Sequence, residues 1–134
     1  MSEIHSVRDL PLSKYCVIVC GGRDYDDREF AFRTLDWMRQ ELSFSAIAHG
    51  GASGADALAA EWAYDRDVPQ MVCKADWGAW GRAAGPIRNI EMFKKSVPLN
   101  VIAFPGGKGT RHMMRVARAG GAKVWEWPEG WASG

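Results

Sequence analysis

No stretch of this chain approaches the roughly 20 consecutive apolar residues that a membrane-spanning helix needs, and its first residues, MSEIHSVRDL, lack the apolar core of a secretory leader. Cysteine is scarce: Cys16, Cys20 and Cys73 are the only three, and no two form a CxxC pair. An odd number in apolar surroundings argues against a disulfide-stapled secreted scaffold and for reduced thiols in a cytoplasmic protein. Excess charge is missing too, with Lys+Arg 17 against Asp+Glu 16 and a net charge of +1. A dedicated duplex-DNA binder concentrates basic surface, so nucleic acid is disfavoured as a partner, while a local basic cleft remains open. No His/Cys/Asp cluster has metal-ligand spacing, so neither a metal nor another cofactor is expected. Internal repeats and low-complexity tracts are absent.

What is present is an ordinary globular balance, 47% apolar and 25% charged, in 134 residues. A domain near this length buries roughly two-thirds of its unfolded surface, enough for one core. Residues 1–14 read as a lead-in, 15–127 as the single domain and 128–134 as a tail.

The domain repeats one pattern, a short β-rich run that ends in glycines and is followed by helical spacing. Tyr15 to Cys20 is a continuous apolar run, as in a strand buried on both faces. Gly21-Gly22-Arg23-Asp24 follows, then a helix over 27–42 with Phe30, Leu35, Met38 and Leu42 on one face. A second strand over 45–49 runs into Gly50-Gly51-Ala52-Ser53-Gly54 and a helix over 54–66. A third strand spans Pro69 to Cys73, an irregular segment Ala75 to Gly85, and a helix 86–96, with Pro86 suited to its first turn. A fourth strand, Asn100 to Phe104, ends in Pro105-Gly106-Gly107-Lys108-Gly109-Thr110, with a helix over 110–119 and a fifth strand from Lys123 to Trp127.

Strands that alternate with helices form a parallel sheet through right-handed crossovers, so the fold expected is α/β, a Rossmann-like three-layer sandwich on a mainly parallel five-stranded sheet. All loops that follow strands then share the carboxyl edge, where open α/β sheets bind ligands. Glycine lets a ligand approach the main chain, successive N–H groups form anion-binding concavities, and a helix start adds further donors. One such loop reads equally well as a tight turn; three on one edge point to a phosphate-bearing ligand. Neither Gly50–Gly54 nor Gly106–Thr110 matches the GxGxxG dinucleotide fingerprint or a Walker P-loop, which disfavours an ordinary dehydrogenase or ATPase.

Four segments together resemble the SLOG superfamily, nearest its YspA/YpsA-related branch. They are Gly21-Gly22-Arg23-Asp24, His49-Gly50-Gly51-Ala52-Ser53-Gly54-Ala55-Asp56, Ala84-Gly85-Pro86-Ile87-Arg88-Asn89-Ile90-Glu91-Met92 and Pro105-Gly106-Gly107-Lys108-Gly109-Thr110. The resemblance spans about residues 15–126 and implies a Rossmann-like fold with nucleotide-derivative ligands. Relatives include the Lonely guy phosphoribohydrolases, the DNA-processing protein DprA and sensor domains. The Arg88-to-Met92 segment resembles the one that carries the catalytic arginine of the Lonely guy enzymes, and a guanidinium grips phosphate in bidentate fashion. Those enzymes have a glutamate three residues beyond the motif threonine, where this chain has Met113. Cleavage of an N-glycosidic bond needs a carboxylate near the sugar, as glycoside chemistry does; Glu91 and Asp56 are the substitutes to consider beside Arg88 as catalytic candidates.

Other residues carry two readings each. Asp56 either complements the helix N-terminus or hydrogen-bonds a ribose hydroxyl. Arg23 meets a phosphate or forms a local ion pair. His49 reads first as a loop-ordering histidine and second as an acid–base group. Trp77 and Trp80 beside Arg82 stack on a base or cover the sheet edge. Trp125, Trp127 and Trp131 belong to the core or to the interface of a homo-oligomer. The leading expectation is a nucleotide-type small-molecule ligand bound as a sensor or sequestering module. Contacts are expected from Gly21, Gly22, Arg23, Asp24, His49, Gly50, Gly51, Ala52, Gly54 and Asp56, and from Gly85, Arg88, Asn89, Pro105, Gly106, Gly107, Gly109 and Thr110. A nucleotide N-glycosidic hydrolase is the second reading, weakened by Met113. A DprA-like single-stranded nucleic-acid binder is the third, weakened by the near-neutral charge. Turnover is left open.

Overall fold

The structure, a computed structural model, describes residues 16–133; the lead-in 1–14 and Tyr15, read as the first residue of a strand, lie outside the described residues. Five strands form one sheet: β1 (Cys16–Cys20), β2 (Ala46–His49), β3 (Gln70–Val72), β4 (Asn100–Ala103) and β5 (Lys123–Glu126). Their order is β3-β2-β1-β4-β5. Every pairing is parallel, with Cys16 opposite Ala46 and Ile18 opposite Val101. The sheet is therefore wholly parallel, and its order reverses between β1 and β4.

Five α-helices connect the strands: α1 (Arg28–Leu42), α2 (Ala55–Asp65), α3 (Trp77–Trp80), α4 (Ala84–Ser96) and α5 (Lys108–Ala119). Period-2 alternation along buried strands supplies two faces. On one, Val17, Val19, Ile47, Ile102 and Phe104 pack with Leu35 and Met38 of α1 and Trp62 of α2. On the other, Ile18, Cys20, Ala48, Val101 and Ala103 pack with Met92 of α4 and Met113 and Met114 of α5. The molecule is thus a three-layer α/β sandwich. Each of its large buried aliphatic side chains contributes about 1.5–3 kcal/mol by leaving water.

The segment from Ala75 to Gly85 is more ordered than its composition suggested. The Asp76 side chain accepts from Ala79 N at 3.0 Å and starts the single turn of α3. A 3₁₀ turn over Gly81–Ala83 leads directly into α4, which begins at Ala84, ahead of Pro86. Pro86 stays within the first turn, where a missing N–H leaves no intrahelical bond unmade. Helix α5 likewise starts at Lys108, two residues earlier than the spacing suggested, so Lys108, Gly109 and Thr110 of the glycine motif are helical. Beyond β5, Trp131–Ser133 form a 3₁₀ turn, and Trp131 Nε1 donates to Ala103 O at 2.9 Å. No described helix is long and apolar enough to cross a membrane.

Candidate functional site

The loops that leave β1, β2 and β4 are bonded to one another through main chain. Gly22 N donates to Pro105 O at 2.8 Å, and Ala55 N donates to Gly22 O at 3.0 Å. Ser53 Oγ donates to Arg23 O at 3.1 Å. These contacts leave no room for a side chain at Gly54, where a Cβ would collide with the carbonyl oxygen of Gly22 and φ is +75°. Only glycine accepts both conditions at low cost.

The loop after β2 satisfies its own donors. Asp56, in the first turn of α2, accepts from Gly50 N and Ala52 N at 3.2 Å each through one oxygen. Gly51 N donates to His49 Nδ1 at 3.0 Å, and the opposite ring nitrogen pairs with Gln70 Oε1 at 2.8 Å. An accepting Nδ1 requires the proton on Nε2, which then donates to Gln70. His49 and Asp56 are therefore the fasteners of this loop. Burial pushes the Asp56 carboxyl up, against the downward pull of the Ala52 amide, of the neighbouring His49 and Arg88 side chains and of the Gly50 amide.

Arg88, on α4, ties together the loops after β2 and β3. Its Nη1 donates to Gly50 O at 2.9 Å and to Cys73 O at 3.3 Å, and its Nε donates to Asn89 Oδ1 at 3.0 Å. Asn89 Nδ2 in turn donates to Gly109 O at 3.2 Å and meets His112 Nδ1 at 3.1 Å. Since Nδ2 only donates, His112 Nδ1 accepts, and the ring's remaining nitrogen carries a proton. Burial and the neighbouring Arg115 hold His112 below its ordinary value, which favours that neutral form. Burial also lowers Arg88, with Asp56 opposing, from a starting value so high that the guanidinium stays charged. Nη2 is the nitrogen of Arg88 without a protein partner among the described residues.

Over this floor opens a cleft of about 530 Å³ at the point where the strand order reverses. Five basic side chains line it, Arg23, Arg82, Arg88, Lys108 and Arg115, and Asp56 is the one carboxylate among its described lining residues. Helix α5 opens on it without a side-chain cap, its N-cap being Gly107. The first bond at that end runs from Arg111 N to Gly107 O, so the amides of Lys108, Gly109 and Thr110 have no intrahelical acceptor. A Cβ at Gly107 or Gly109 would meet nothing within 4 Å. Away from the cleft, α1 is capped by Asp27, which accepts from Phe30 N at 3.2 Å.

Of the residues singled out in the sequence, Gly21, Gly22, Arg23, Gly50, Ala52 and Asp56 line the cleft, as do Gly85, Arg88, Asn89, Gly107, Gly109 and Thr110. His49, Gly51, Gly54, Pro105 and Gly106 stand behind the lining as loop supports. Two candidates lie elsewhere. Asp24 is exposed and outside the lining. Glu91 is exposed on α4, off the stripe of Gly85, Asn89 and Met92 that faces the cleft. Met113 is buried and lines the cleft, so no carboxylate stands at that position. Sequence reasoning missed Lys108, His112 and Arg115, whose spacing along one helix was the available signal. Trp77 lines the cleft while half-exposed, with the Arg23 guanidinium 5.0 Å from its ring centre.

The model of the YspA, cpYpsA-related SLOG family matches residues 15–80. Gene 61 protein of Mycobacterium phage D29 is 36% identical over 116 residues, which cover 81% of this chain and 92% of the phage protein. The chain belongs to the YspA, cpYpsA-related SLOG family.

Proposed function

We propose that this member of the SLOG superfamily binds a phosphate-bearing nucleotide or nucleotide derivative in the cleft at the carboxyl edge of its sheet, as a sensor or sequestering module. The observation that carries this reading is the charge of the cleft. A chain of net charge +1 gathers five cations around one hollow, and the single carboxylate there is already committed to the amides of Gly50 and Ala52. Such a hollow favours an anion, and the unpaired amides at the start of α5 favour phosphate in particular. Its volume of about 530 Å³ lies within the roughly 300–1,000 Å³ typical of small-ligand sites.

Binding without turnover is the better-supported form of this reading. Asp56 faces loop amides, Glu91 is outside the cleft, and a thioether stands at Met113. None of these offers a carboxylate placed to stabilise an oxocarbenium-like state. Purified protein, denatured and analysed by mass spectrometry after incubation with a panel of nucleotides, is the test. Retained nucleotide with no free base supports the proposal. Release of free base at catalytic rates overturns the no-turnover form, and failure to retain any nucleotide overturns the ligand class.

A further inference from the structure

A second hollow of about 270 Å³ adjoins the cleft and shares Arg23, Gly50, Ala52, Trp77 and Arg88 with it. Its remaining wall comes from the loop after β2 and from Lys74 and Ala75 beyond β3. Three cations, Arg23, Lys74 and Arg88, line it, and no acidic side chain does among the described residues. The stem of Lys74 lies flat on the loop, since a Cβ at Gly51 would sit 3.1 Å from its Cγ and 3.3 Å from its Cε. That packing spends the apolar part of the side chain on the protein and leaves the ammonium beyond it, with no ion pair among the described residues. Arg23 and Trp77, with the guanidinium 5.0 Å from the ring centre, line both hollows.

Like charges held this close repel unless an anion sits between them, and Arg23 does push down the affinity of Arg88 for its proton. The main cleft has its own cations in Lys108, Arg115 and Arg82, so an anion there leaves Lys74 unanswered. We infer that the ligand carries two anionic groups at separate positions, the first held in the main cleft and the second by Lys74 in the adjoining hollow, with the shared Arg23–Trp77 pair beside both. A nucleotide with phosphates at both ends of its ribose has that chemistry. The inference rests on the proposed nucleotide reading and narrows it to a doubly charged class.

Calorimetric titration separates the two claims. The probes are the 5′-monophosphates, 5′-diphosphates and 3′,5′-bisphosphates of the four common ribonucleosides, titrated into wild type and Lys74→Ala. For at least one base, wild type is expected to bind the bisphosphate about 10-fold more tightly than the monophosphate, the lower range for one charge-assisted contact. Lys74→Ala is expected to erase that gain and to leave monophosphate affinity unchanged. Lys74→Glu is expected to reverse the preference. Equal affinity of wild type for mono- and bisphosphate overturns the inference while the nucleotide reading stands. So does a gain that survives Lys74→Ala, or one seen equally with the diphosphate and insensitive to Lys74, which would place both phosphates in the main cleft. Failure of wild type to bind any of the probes overturns both.

Discussion

Asp56 shows how a residue that reads as a ligand contact becomes a fastener. One oxygen accepts two main-chain amides, and one of the donors, Gly50, is buried. Removing the acceptor leaves those amides unpaired, and a buried unpaired donor costs about 1–3 kcal/mol. Asp56→Ala is accordingly expected to lower the unfolding free energy by about that amount, read from the shift of a urea midpoint at constant slope. His112 offers a pH signature at the same scale. Its pKa is lowered on folding, so the unfolded chain binds more protons below the usual histidine value of about 6.5. Stability from the neutral ring is present above that pH and is lost as pH falls through the lower folded value. The stability difference between wild type and His112→Asn is expected to move against wild type on acidification below about pH 6.5. A difference independent of pH would mean that His112 titrates alike in both states.

At the scale of elements, glycines that look alike in sequence do different jobs. Gly54 is enforced by the fold, with φ +75° and the Gly22 carbonyl oxygen where a Cβ would go. Gly107 has φ −100°, outside the left-handed region, and faces space within which a Cβ meets nothing. Gly54→Ala is therefore expected to destabilise the protein markedly in thermal unfolding. Gly107→Val is expected to fold as wild type does and to lose nucleotide binding in calorimetry, because its side chain enters the cleft. Binding by folded Gly107→Val at wild-type affinity would remove the α5 terminus from the site. The alternation of strand, glycines and helix was legible in the sequence, because it rests on local periodicity and on turn chemistry. The order of α3 was not, since one turn of Trp77-Gly78-Ala79-Trp80 has no period to read and depends on the Asp76 cap. The wiring of Arg88 to Gly50, Cys73 and Asn89 was not legible either. Asn89 is its neighbour on α4, but Gly50 and Cys73 come from two other segments, and only the sheet order brings those to Arg88. This is why a guanidinium first read as a bidentate phosphate clamp keeps one nitrogen free.

For the whole molecule, the five parallel strands put the loops after β1, β2 and β4 along one edge, and their mutual main-chain bonds make that edge a single rigid floor. The cations around it come from the loop after β1, the turn after α3, α4 and α5, whereas the chain as a whole is nearly neutral. Lys108 and Arg115 are the cations best suited to report on a phosphate, because neither has an ion-pair or hydrogen-bond partner among the described residues and both stand clear of the Arg88 wiring. The direct measurement is calorimetric titration of a nucleoside 5′-monophosphate and its parent nucleoside into wild type and into the Lys108→Ala/Arg115→Ala double variant. If the cleft holds phosphate, wild type binds the monophosphate more tightly than the nucleoside. The double variant then loses at least about 10-fold for the monophosphate, at about 1.4 kcal/mol per tenfold, and little for the nucleoside. Equal binding of the two ligands by wild type, or a double variant that binds the monophosphate as wild type does, would contradict the account.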